Sequence, residues 1–191
     1  VEINKLNLPI DTKNFLLTNK FKENEFDCLN VDFFSYSDGF LLNVAEWTIK
    51  NDFSLSILGS EYKEKFLASL EKFKTYLVIG ENVNTSNLIA IHQPTGGIYE
   101  LEHEIMEKVE RYFVNSSIEE MYYCLECFKK YWIQIIEERQ ENNLRRIFNE
   151  LKDKLMEFDS KILINDDDYN RQFWNSLYFD KMNFFLEKLK E

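Results

Sequence analysis

Three sets of residues have types and spacings that could do chemistry. The first is Cys124-Leu125-Glu126-Cys127, a C-x-x-C. At a helix N-terminus beside a strand, such a pair would read as a thiol redox centre, because that environment lowers the thiol pKa. Here the apolar spacing puts it two turns inside a helix, and no second cysteine pair completes a zinc set. The pair reads instead as small, partly buried helix residues. The second set is His92 and His103, the two histidines of the chain. A turn at Pro94-Thr95-Gly96-Gly97 would set His92 opposite Tyr99 and His103 opposite Leu88, well apart along a hairpin. Strand alternation puts Glu100, Glu102 and Glu104 on the face opposite His103, so one strand cannot gather a His–Glu metal cluster.

The third set is those three glutamates, with Glu107 and Glu110 after them. Carboxylates at period two on one strand form either a solvated sheet face or a docking face for a basic protein. Charge alone gives little affinity, so aromatic anchors near the face, Tyr99 or Tyr112, would have to supply the rest. A G-x-S-x-G nucleophile turn and a Gly-rich phosphate loop are both absent from the sequence. The sequence therefore predicts no catalytic residue, no metal site and no cofactor.

The elements that would position these groups follow from periodicity. Apolar runs predict strands near 41–47, 53–57, 76–80, 88–93, 98–103 and 111–114. Gly80-Glu81-Asn82 reads as a turn, as does Ser37-Asp38-Gly39. At Glu81 the simplest role is bonding to turn N–H groups. Leu6 to Leu17 reads as an extended lead-in. Residues 61–73 have helical spacing, with Ser60 as N-cap. Ser116 with Glu119, and Ser117 with Glu120, form two overlapping capping boxes at the start of the next helix. From Ile118 the stripe Met121, Leu125, Phe128, Trp132, Ile135, Ile136 marks one helical face. The polar run 137–143 then permits either one long helix or two helices meeting near Asn142-Asn143. Asp166-Asp167-Asp168 offers an N-cap for a last helix whose stripe begins at Trp174. Trp132 and Trp174 are expected in the core. No Gly or Pro follows Gly97, so the C-terminal half should be nearly all helix. The fold class is α+β, an antiparallel sheet packed against helices.

At 191 residues with 16% aromatics the chain can bury a real core. A net charge of −11 argues against a nucleic-acid or anionic-membrane partner, and is compatible with a basic protein partner. No segment approaches the roughly 20 apolar residues of a membrane span. The start VEINKLNLPIDTK lacks the apolar run of a secretory signal. Three cysteines, an odd number, do not suggest a disulfide framework, and the expected location is cytoplasmic.

The order of motifs over 76–131 resembles the SUKH superfamily of bacterial immunity proteins, most closely its fourth family. The resemblance lies in a hydrophobic strand ending in Ile79-Gly80, a short polar turn, a strand Leu88 to Ile91, a Gly-containing turn, a strand, and then Phe113-Val114-Asn115-Ser116-Ser117-Ile118 leading into a helix. Glu81 stands where the family often has an acidic turn residue, and Trp174 where a final helix carries Trp. Length suggests one SUKH-like domain over 1–191, and its long helical extension at about 132–191 departs from the family's usual pattern. The resemblance implies an immunity protein that neutralises a cognate toxin, a nuclease or nucleic-acid deaminase, without turnover. Partner contacts are expected at Glu81, Tyr99, Glu100, Glu102, Glu104 and Tyr112. Two other readings of the residues remain open at this point: a hydrolase or metal-dependent enzyme using His92 or His103, and a regulatory scaffold module.

Overall fold

The computed structural model describes residues 2–18, 25–34, 41–51, 59–102, 109–162 and 173–190. Six α-helices and five strands lie among them: α1 (Ile10–Thr18), β1 (Val31–Phe33), α2 (Val44–Asn51), α3 (Ser60–Glu71), β2 (Tyr76–Asn82), β3 (Asn87–His92), β4 (Ile98–Glu102), β5 (Glu110–Asn115), α4 (Ile118–Glu137), α5 (Glu141–Phe158) and α6 (Phe173–Lys188). The strands form an antiparallel sheet in the order β1-β2-β3-β4-β5, so the class is α+β with a helix-rich C-terminal half. The expected strand at 53–57, the turn at Ser37-Asp38-Gly39, His103, Glu104, Glu107 and Asp166-Asp167-Asp168 fall outside the described residues. The chain divides into two compact units, Val1–Arg111 and Tyr112–Glu191.

In the first unit, β2, β3 and β4 form two hairpins. Leu77 pairs with Ile91, Val78 with Ala90, Leu88 with Leu101, and Ala90 with Tyr99. One sheet face, bearing Tyr76, Val78, Leu88, Ala90 and Leu101, packs on Val44 of α2 and on Phe66 and Leu70 of α3. A bulge between Val78 and Gly80 lets β2 run on to Asn82 and pair with β1. Gly80 cannot carry a side chain there, because a Cβ would lie 2.3 Å from the Asp32 carbonyl oxygen. The turn expected at Gly80-Glu81-Asn82 is therefore strand, and the chain reverses at 83–86.

The β3–β4 loop is Gln93 to Gly96, closed by His92 N–H donating to the Gly97 carbonyl at 2.8 Å. Gly96 takes φ +73, which favours glycine, and a Cβ would also meet Thr12 and Pro9. The loop sits one residue earlier than the sequence suggests, so the pairing slips by two. An even slip keeps every side chain on its expected face.

Two expected elements are corrected. Residues 41–47 are not a strand: only Asn43 bridges to Leu77, and α2 starts at Val44. Asn43 and Glu46 form a reciprocal capping box, each backbone N–H donating to the other's side chain at 3.0 Å, and this starts a helix where the apolar run alone suggests extension. Nor is the N-terminal segment an extended lead-in. Lys13 N–H donates to the Pro9 carbonyl, and Pro9 stands just ahead of α1, where a missing N–H costs nothing. A smaller correction concerns α3, whose N-cap is Gly59, with Ser60 already helical.

In the second unit Ser117 is the N-cap of α4 and accepts from Glu120 N–H at 3.2 Å. The polar run separates two helices. Glu138 leaves helical geometry, and its carboxylate accepts from the N–H groups of Arg139 and Gln140. Ile118, Met121, Leu125, Phe128 and Ile135 of α4 are buried, as are Leu144, Ile147, Phe148, Leu151 and Leu155 of α5. Trp174 is 1% exposed, as expected of core. Trp132 is only half-buried; its ring meets Phe185 edge-on at 5.5 Å and lies under the Lys181 ammonium at 5.0 Å.

Candidate functional site

The strand register distributes the expected docking residues over two sheet faces. Glu100 and Glu102 share the face of Ile89, while Tyr99 and Glu81 share the face of Leu88. Tyr112 lies on β5 in the second unit, half-buried. Glu104 lies outside the described residues.

Glu100 does not stand on a solvated face. It is 4% exposed, and its Oε1 accepts from Asn82 Nδ2 (3.0 Å), Thr85 Oγ1 (3.0 Å) and Asn87 Nδ2 (3.1 Å). Those three residues flank and form the β2–β3 turn, so this carboxylate ties the turn to β4. Burial raises its carboxyl above the ordinary value; the three hydrogen bonds oppose that rise, and nearby Glu102 adds to it. Glu102 itself is half-buried.

Glu81 lies directly across from Asp32 of β1. Burial, then the Asp32 charge, raises the Glu81 carboxyl. Asp32 Oδ1 is buried and has no hydrogen-bond partner among the described residues. The turn-holding role expected of Glu81 belongs instead to its neighbour Asn82, whose Oδ1 accepts from Asn84 N–H at 3.1 Å.

Tyr99, Tyr76 and His92 form an aromatic cluster, with Tyr76 centred 4.8 Å from His92 and 5.6 Å from Tyr99. Arg111 lies over the Tyr99 ring at 5.5 Å and donates to the Tyr76 hydroxyl. The His92 Nδ1 bonds to Thr95 Oγ1 at 2.9 Å. Burial, and then Arg111, lower the His92 pKa, so its neutral form is favoured.

Cys28, Cys124 and Cys127 are not disulfide-bonded. Burial pushes the Cys124 thiol up to about 12, the opposite of an activated nucleophile. Among the described residues no group of His, Cys, Asp and Glu could hold a metal ion. No helix among them is long and apolar enough to cross a membrane.

Sequence reasoning missed a dense polar cluster, which lies inside the second unit. Asp159, 4% exposed at the end of α5, accepts from Ser116 N–H (2.6 Å), Ser116 Oγ (3.2 Å), Asn115 Nδ2 (3.3 Å) and Lys161 N–H (3.1 Å). Trp174 Nε1 donates to Asn115 Oδ1 at 2.9 Å. Buried Asn115 thus joins β5, the end of α5 and α6, and Ser116 ties the start of α4 to Asp159. Ser116 is not a helix cap but a donor to this carboxylate. The Asn-Ser-Ser run signals part of the cluster. Nothing local to Asp159 does.

These groups bond and pack; none of them forms a nucleophile–base pair. No curated protein and no solved structure gave a match to the chain. The family model described as SUKH-4 immunity protein matches residues 55–180, from ahead of α3 into α6, and includes the β2–β4 hairpins and the Asn115–Asp159–Trp174 cluster. The chain belongs to the SUKH-4 immunity protein family.

Proposed function

We propose that this protein acts in the cytoplasm as an immunity protein that binds a cognate toxin domain and neutralises it by occupying its surface, without turnover. The family match over 55–180 is the observation that carries this reading. That match spans parts of both compact units, which supports treating 1–191 as one SUKH-like domain, with 132–191 as its helical continuation. The toxin proposed is a basic nuclease or nucleic-acid deaminase. A net charge of −11 supports a basic partner, and would speed its encounter at low salt.

The chemistry of the candidate groups supports binding over catalysis. The Cys124 thiol is buried and protonated, and the His92 ring is packed between tyrosines. The docking residues proposed are Glu81, Tyr99, Glu102, Glu104 and Tyr112. Glu100 acts indirectly, by holding the β2–β3 turn.

The test is protection. Cells expressing a candidate toxin domain, sought among the genes neighbouring this one, should survive when the chain is co-expressed, and the purified pair should form a stoichiometric complex. Survival should persist in His92→Ala and His103→Ala. Loss of protection in both, with circular dichroism unchanged, would replace binding with catalysis.

A further inference from the structure

Tyr123 of α4 and Phe158 at the end of α5 lie with ring centroids 5.9 Å apart and planes 25° from parallel. They are 52% and 41% exposed. Tyr122 meets Tyr123 edge-on at 6.0 Å. Two large rings stacked in solvent are an unusual use of aromatic surface and a common mark of an interaction site.

The backbone beneath both rings is fixed. Cys124, next to Tyr123, is buried with its Sγ 3.8 Å from the Leu155 carbonyl. Asp159, next to Phe158, is held by Ser116 and Asn115. Rings anchored this way lose little freedom on binding, which favours a preorganised contact.

Carboxylates fringe the pair. Glu119 and Glu126 stand four residues before and three after Tyr123, on its side of the helix, and Glu157 adjoins Phe158. Lys129 pairs with Glu126 at 3.5 Å and Lys154 with Glu157 at 2.8 Å, partly exposed pairs of small net worth that an incoming cation can share. An apolar occupant would have to strip water from those carboxylates. A cation would not, since it is drawn to the ring faces and to the acidic rim alike.

We infer that the Tyr123–Phe158 stack is an anchor for an arginine or lysine side chain of the protein partner. This rests on the reading of the chain as a toxin-binding protein, and adds to it a second docking element, in the helical unit.

The probe is a capped arginine–glycine repeat peptide, with its citrulline counterpart as the neutral control. In amide-shift mapping of the full chain, the arginine peptide should shift resonances centred on Tyr123 and Phe158, and the citrulline peptide should not. The Y123L/F158L variant keeps apolar bulk but no π face. It should lose the peptide shifts and bind the toxin domain about tenfold or more weakly, chiefly through faster dissociation. Y123F/F158Y keeps both ring faces and should bind as the wild type does, and amide resonances of Y123L/F158L unchanged away from the stack separate loss of the π faces from loss of fold. Shifts centred elsewhere, equal shifts with citrulline, or unchanged toxin affinity in Y123L/F158L would overturn the inference. So would a wild-type dimer that Y123L/F158L converts to monomer, because the stack would then be a self-contact. If the arginine peptide maps to the stack but the wild-type chain binds no toxin domain, the toxin reading falls and the cation anchor stands.

Discussion

Among the described residues each compact unit buries one carboxylate to the same extent, 4% exposed, and each holds it with neutral donors. The donors differ. Glu100 receives three side-chain groups, all on one oxygen, from residues of a single turn. Asp159 receives two backbone N–H groups and two side-chain groups on both its oxygens, at a junction of β5, α4 and α5. Backbone donors cannot rotate away, so Asp159 fixes how the chain passes between elements. Side-chain donors can turn to water when released, so Glu100 fixes only the shape of a hairpin tip. The same chemistry thus serves architecture in one unit and loop geometry in the other. Variants on either side should show effects of different size.

The largest effect should come from Trp174→Ala. The ring is 1% exposed and its Nε1 supplies Asn115, so its removal leaves a cavity beside an unsatisfied amide. A loss of about 3–5 kcal/mol in urea unfolding is expected. Trp132→Ala, at a half-buried ring, should cost less than half of that. Equal costs would mean that the two rings are equally core. Asp159→Ala comes next, at about 3 kcal/mol, because four donors lose their acceptor and some of them are beyond the reach of water. If Asp159→Ala proved no more costly than Glu100→Ala, the distinction between backbone and side-chain donors would fail.

What was legible in the sequence was local. The β2–β4 hairpins and the face of α4 follow from alternation, turn residues and helical spacing, each confined to a short window. The register slip at Gln93–Gly96 was invisible because two adjacent glycines allow either loop, and only the approach of Pro9 and Thr12 selects Gly96 for the positive φ. The missed capping box at Asn43–Glu46 was readable, but the apolar run around it suggested a strand. Glu100 was misjudged because alternating glutamates look the same whether water or a polar turn faces them. Its donors lie 13 to 18 residues earlier in the chain. Asp159 is 43 residues from Ser116, and no periodicity links the two.

Glu100→Gln should be milder, about 1 kcal/mol near neutral pH, because the amide oxygen can still accept from the turn. Its pH dependence is more telling. The folded-state carboxyl is raised above the ordinary 4.5, so the folded chain binds the proton more tightly than the unfolded chain does. That stability is fully present below the unfolded value. It is lost as pH rises through the folded value. The wild-type advantage over Glu100→Gln should therefore shrink as pH climbs from about 4.5. An advantage that grows over that window would mean that the turn donors outweigh burial and lower the carboxyl instead.

The smallest stability effect belongs to Glu102→Gln, two residues along the same face. Glu102 is half-buried where Glu100 is buried, so one strand carries a buried, turn-holding carboxylate and a half-buried one on the same face. The change at Glu102 should leave stability within about 0.5 kcal/mol. It should also slightly ease the rise at Glu100, because the Glu102 charge adds to it. Its larger consequence should be kinetic. Encounter with a basic partner is steered by exposed charge, and screening at physiological salt acts over about 8 Å. Glu81→Gln/Glu102→Gln should therefore slow association with the toxin domain at low salt and flatten its salt dependence, with little change in dissociation. The opposite result, slower association for Glu100→Gln but not for the double variant, would mean that turn shape rather than surface charge sets the encounter. The carboxylate assigned here to loop geometry would then be the one that binding depends on.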